Sequence, residues 1–110
     1  MYTNATHLFV HQQLQRHAQQ IASWGRRVAS MQSLESMAHE ATHPPTAPSV
    51  VRAFVQGAEQ RHAEHAIGRA MIARVQDTDD IRALCAAQRL VQGRYPEVAR
   101  AIQTRLAHLA

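Results

Sequence analysis

A chain of 110 residues, 45% of them apolar, is long enough for one packed domain and too short for two of ordinary size. Only five residues are aromatic (Tyr2, Phe9, Trp24, Phe54, Tyr95) and alanine supplies much of the rest, which favours close-packed helices over a pleated sheet. The charge of +4 comes from twelve arginines and no lysine; the nine arginines after residue 50 are interleaved with six acids, which makes a mixed surface and excludes a basic tail.

The opening MYTNATHLFVHQQLQ has neither the basic start nor the apolar run of a secretion signal. No later stretch approaches the roughly 20 apolar residues that cross a bilayer, so a cytoplasmic protein without a transmembrane segment is expected. Over the first forty residues the apolar positions follow a seven-residue repeat. One set is His7, Leu14, Ile21 and Val28, and the other Val10, His17, Trp24, Met31 and Ala38. This 3-4 spacing is the seam of a helix lying lengthwise on other helices. Asn4 or Thr6 can cap its start, and Gln12, Gln13, Gln15, Gln19 and Gln20 suit its solvated face. Gly25 costs about 1 kcal/mol in a helix interior, but the register runs past it, and one helix from about residue 5 to 41 is expected.

HPPTAPS, residues 43–49, ends that helix, because three prolines remove three amide donors. Ser49 can cap a second helix reaching about Gln76, with a seam of Val51, Phe54, Ala58, His65, Ile72 and Val75. Its alanines permit close approach, so this helix is expected to be the central one. QDTDD, residues 76–80, is the next junction: Thr78 is a natural cap, and Asp79 and Asp80 match the positive end of a helix dipole. The third seam reads Ile81, Leu84, Val91, Tyr95, Val98, Ile102 and Leu109. Gly93 and Pro96 interrupt it, yet the register continues, which favours one kinked helix over a split into two. The expectation is an all-α single domain over residues 1–110, an antiparallel bundle of three long helices, or four if the last divides at Gly93–Pro96. Rods this thin bury little surface alone, so a homo-oligomer is expected. Its core and interface positions would be Leu14, Ile21, Trp24, Val28, Met31, Phe54, Ile72, Ile81, Leu84, Val91, Tyr95, Val98 and Ile102.

The one stretch that looks like chemistry is EQRHAEHA, residues 59–66. Residues three apart share a helix face, so Glu59 and His62, with His65 one step on, are candidate metal ligands. Di-iron bundles use Glu-x-x-His twice, and Glu40 and His43 repeat the spacing here. However, His43 abuts Pro44-Pro45, and Glu59 and His62 fall outside the seam, so a polar rim is the expected role and no metal or other cofactor is expected. One semi-buried histidine, at position 65 or 17, is anticipated. Cys85 is the only cysteine, which excludes an internal disulfide; a small buried apolar side chain is its expected role. No nucleophile has a base beside it, and the four glycines are never clustered as a phosphate loop, so an enzyme is not expected.

The segment TDDIRALCAAQRLVQ, residues 78–92, follows long helices rich in alanine and glutamine and a short polar break. In this it resembles the phasins, small bacterial proteins that coat polyhydroxyalkanoate granules, with Ile81, Leu84 and Gln88 standing in the apolar repeat. The resemblance implies a structural protein without catalytic residues, whose apolar positions face a hydrophobic granule surface when the bundle opens. Two other readings remain open. One is an adaptor or chaperone that clasps a protein helix. The other is a nucleic-acid binder using Arg61, Arg69, Arg82 and Arg89, although no helix-turn-helix spacing stands out.

Overall fold

A computed structural model describes the chain from Tyr2 to Ala110, with side chains from residue 5 onward. Among the described residues the chain is all-helical, without strands: α1 (Tyr2–Ala29), α2 (Leu34–Ala41), α3 (Ala58–Gln76), α4 (Ile81–Val91) and α5 (Pro96–Leu109), plus a 3-10 turn at Arg52–Phe54. None of these helices is long and apolar enough to cross a membrane.

The three long helices expected from the register are therefore five. The first divides at residues 30–33. Ser30 donates its hydroxyl back to the Arg27 carbonyl at 3.0 Å, and Ser33 caps α2 by accepting from the Ser36 amide at 3.3 Å. The anticipated caps Asn4 and Thr6 lie inside α1, and the Asn4 side chain falls outside the described residues. Ser49 caps nothing: residues 49–51 form a turn, and α3 starts only at Ala58, after Gly57 at φ +80°, a left-handed geometry that glycine adopts freely. The last helix divides too. Pro96 supplies no amide donor and forces Tyr95 to φ −126°, ψ 73°, away from helix. Gly93 contributes no left-handed turn there. At the junction before α4, Asp80 and not Thr78 is the cap, accepting from the Arg82 and Ala83 amides at 3.0 and 3.4 Å. The Thr78 hydroxyl instead donates to the Arg74 carbonyl at 2.7 Å.

Contacts between elements fix the directions. Gly25 of α1 meets Ala63 of α3, and Arg74 of α3 reaches the Met31 carbonyl at 3.1 Å, so α1 and α3 run the same way. Tyr95 lies against Gly68, and Arg105 reaches the Thr78 carbonyl at 3.1 Å, so α5 runs with them. The connections α2 and α4 run back. A simple antiparallel order fails because residues 42–57 carry the chain down beside α1 before α3 begins: Pro45 lines a cleft with Trp24, and Phe54 one with Leu14. As expected, α3 is central, packing on α1, α2 and α5.

The core holds Ile21, Trp24, Val28, Leu34, Met37, Ala38 and Ala41 from α1–α2. From the later helices it takes Ala63, Ile67, Met71, Val75, Leu84, Ala87, Val91, Tyr95, Val98, Ala99 and Ile102. Several expected positions lie elsewhere. Phe54 and Ile81 are exposed, at 57% and 52%, because Phe54 precedes α3 and Ile81 is the first residue of α4. Leu14, Met31 and Ile72 are half-buried, as is Cys85. In α3 the buried row is 63-67-71-75, a four-residue ridge, where a heptad through 58, 65 and 72 was expected; Ala58 and His65 are exposed.

Helix ends leave carbonyls without intrahelical partners, and side chains from other parts of the chain supply donors to them. The Trp24 indole donates to the Glu40 carbonyl at 3.0 Å, the Tyr95 hydroxyl to Ala41 at 3.0 Å, and the Arg94 guanidinium to Thr42 at 3.2 Å. Arg74 and Arg105 do the same for the segments after α1 and α3, and Arg105 also pairs with Asp79.

Two substitutions test this packing. A Cβ on Gly25 would stand 2.9 Å from the Ala63 Cβ, whereas one on Gly93 meets nothing within 4 Å. Gly25→Ala should destabilise by about 1–3 kcal/mol through overpacking, less up to ~1 kcal/mol of helix propensity. Gly93→Ala should leave the melting temperature nearly unchanged. Tyr95→Phe strips the Ala41 carbonyl of its donor and should cost about 1–3 kcal/mol in denaturant unfolding.

Candidate helix-docking groove

Where α1 and α3 run side by side, small residues keep their facing sides thin. Ala18, Ala22, Gly25 and Ala29 on α1 and Ala58, Ala63 and Ala66 on α3 line an open groove of about 510 Å³. Its walls are methyl groups and backbone, and its polar rim is Arg26, Glu59 and His62. The α1 residues recur at spacings of four, three and four, which places them on one stripe of the helix. Such a surface lets another helix approach closely, because no long side chain stands between the backbones.

The candidate ligands of the 59–66 stretch separate. Glu59 and His62 are exposed on the rim of this groove, while His65 lines a different cleft, against α5. Among the described residues no group of three or more histidine, cysteine or acidic side chains could hold a metal ion. Glu40 has other partners, its carboxylate standing 3.7 Å from Arg27. His39 and His43 do meet, with ring centroids 4.7 Å apart, and the His43 Nδ1 lies 2.7 Å from the His39 carbonyl. Of the two histidines named as semi-buried candidates, His17 is the covered one at 7% exposure, and its Nδ1 has no hydrogen-bond partner. It lines a 190 Å³ pocket with Leu14, Phe54, Gln56 and Glu59 that opens beside the groove.

The cleft on the far side of α3 has a volume of about 320 Å³ and is lined by Arg61, Glu64, His65, Arg69 and Ile72, with Arg94 and Tyr95 from the α4–α5 turn. Arg61 donates to the Gln56 carbonyl at 3.5 Å, and the Arg94 Nε stands 3.5 Å from Glu64. Arg82 and Arg89 are exposed on α4. The four arginines named as phosphate contacts thus divide between a cleft on α3 and the surface of α4. Sequence reasoning noted that the alanines of α3 permit close approach but missed the small α1 residues that build the other wall of the groove. Their 3-4 spacing (18, 22, 25, 29) was present, but alanine and glycine carry no apolar signal strong enough to stand out beside the Ile21–Trp24–Val28 seam.

Burial first, and then the Glu64 carboxylate, pushes the Tyr95 phenol well above its usual value of 10.0; Arg94 opposes this in part. The folded-state value lies above the unfolded one, so the contribution of neutral Tyr95 is complete below about pH 10 and is lost as the pH rises beyond it. Denaturation midpoints should therefore hold level from pH 8 to about pH 10 and fall above it, and Tyr95→Phe should show a smaller fall. No family model, curated protein or solved structure matches the chain.

Proposed function

We propose that this chain is a non-enzymatic interaction protein that docks a helix lengthwise in the groove between α1 and α3. The observation that carries the reading is the groove itself: about 510 Å³ of alanine- and glycine-lined surface, open along two parallel helices and rimmed by one acid and two basic groups. Its shape fits the helix-in-groove mode, in which affinity comes from an apolar stripe at i, i+3, i+4 and i+7. Of the four arginines that sequence alone would offer to phosphate, Arg61 holds the Gln56 carbonyl, and the four divide between a cleft on α3 and the surface of α4. This weakens the nucleic-acid reading.

A second reading has one observation in its favour. Leu8, Phe9, Val50 and Phe54 are large apolar side chains about half exposed, and Phe54 lies beside Leu14 of α1, about one and a half turns from Leu8 and Phe9. An apolar end of this kind suits a hydrophobic granule surface, the role that the likeness to phasins implies. Photo-crosslinking from position 22 in cell extract separates the two. Docking gives one stoichiometric adduct to a helical polypeptide, reduced more than about tenfold by Ala18→Arg, by analogy with the loss of a buried contact worth 1.4 kcal/mol or more. Recovery only with sedimented lipid or polymer inclusions, unaffected by Ala18→Arg, contradicts docking and supports the coat.

A further inference from the structure

We infer that the helix received by the groove is α1 of a second copy of this chain, laid antiparallel so that the N-terminal half of each α1 covers the other's groove. The inference rests on the docking reading above and names its occupant. Three observations carry it. First, burial along α1 is one-sided in length: no residue from 5 to 16 is buried, and burial begins at His17. The uncovered half spans about 18 Å at 1.5 Å per residue, and the groove stripe from Ala18 to Ala29 spans about 17 Å. The two lengths match.

Second, the stripe does not stop at Ala18. Continued toward the N-terminus at the same 3-4 spacing it passes through Gln15, His11 and Leu8, all exposed. One face of α1 thus carries a second seam, distinct from the core seam, with a large apolar residue at one end and small residues at the other. A two-fold axis near residue 17 sets large against small, with Leu8 of one copy at the level of Gly25 and Arg26 of its mate, and each interface half is the same patch. Charge agrees with this arrangement. The bases Arg16 and Arg27 line a different cleft, with Pro45, away from the pairing face, while His11, level with residue 23 of the mate, approaches the end of the groove where Glu59 stands.

Third, the isolated chain exposes too much surface. Its 7346 Å² exceeds by about 1,200 Å² the roughly 6,100 Å² expected of a compact monomer of 12.3 kDa. Its radius of gyration, 17.2 Å, compares with about 13 Å for a compact chain of this length. A stable interface of standard size buries about 800 Å² per partner, so one such contact accounts for most of the excess.

Sedimentation of the native chain across about 1–200 μM, bracketing the micromolar affinities of modest interfaces, tests the proposal. The expected mass is twice 12.3 kDa. Leu8→Glu and Ala22→Glu, both at exposed positions, should each give the single-chain mass with unchanged far-ultraviolet helicity. In a Cys85→Ser background, Leu8→Cys with Arg26→Cys should oxidise to a covalent dimer. Within one chain these two positions are about 27 Å apart along α1, too far for a disulfide. A single-chain mass for the native protein overturns the proposal, as does a dimer that both glutamate variants leave intact or that the cysteine pair fails to link. A monomer that still yields the helical crosslink from position 22 overturns self-pairing alone; loss of both mass and crosslink overturns docking as well.

Discussion

The C-terminus of α2 is the constraint on which the rest of the structure turns. A helix of eight residues is far below the length at which helices stand alone in water, and its last carbonyls point into the body of the protein. Three side chains meet there to satisfy them: the Trp24 indole from α1, and the Tyr95 hydroxyl and Arg94 guanidinium from the α4–α5 turn. Each donor is distant in sequence and is placed by a different local device. Trp24 sits on the core seam of α1, and Tyr95 is turned out of the helix by the proline that follows it. Burying an unpaired carbonyl would cost about 1–3 kcal/mol, so these donors, the Tyr95 hydroxyl on the buried Ala41 carbonyl above all, stabilise the end of α2. The partners in turn give α1 and α5 a common reference point.

The same logic accounts for much of the basic charge. Arg74 and Arg105, from α3 and α5, reach back to carbonyls beyond the ends of α1 and α3, so a helix late in the chain closes the end of an earlier one. Cations at helix C-termini also meet the negative end of the dipole. An arginine-rich composition can therefore serve backbone carbonyls inside one chain, and net charge alone does not identify a polyanion as the partner. What remains available for recognition is the thin-walled channel between α1 and α3, where Gly25 against Ala63 sets the helix separation and the alanines around them leave room for a third helix.

Much of the core is visible in the spacing of apolar residues. Ile21, Trp24 and Val28, and then Leu84, Val91, Tyr95, Val98 and Ile102, lie on the seams that the sequence displays, and all are buried. The breaks are less visible for a physical reason: a tight turn that preserves register leaves the heptad unbroken. Met31 and Ala38 continue the phase of Trp24 although Ser30 and Ser33 end one helix and begin another. At the second break both Gly93 and Pro96 were apparent, and the proline decides the outcome because it removes an amide and restricts Tyr95. The spacing misleads most in α3. There a helix covered on three sides packs through the row 63-67-71-75, and the aromatic Phe54, taken into its seam, belongs to the turn before it. The groove was harder to read still, because small residues define it by what they lack.

Amide hydrogen exchange of the native chain against Tyr95→Phe tests most directly whether the end of α2 unites the structure. If it does, amides in residues 21–41 and 63–102 exchange together at a common slow rate, and removing one hydroxyl raises that rate throughout α1's C-terminal half, α2 and α5. Acceleration confined to the neighbourhood of Tyr95, with α2 and α1 protected as before, would contradict the account.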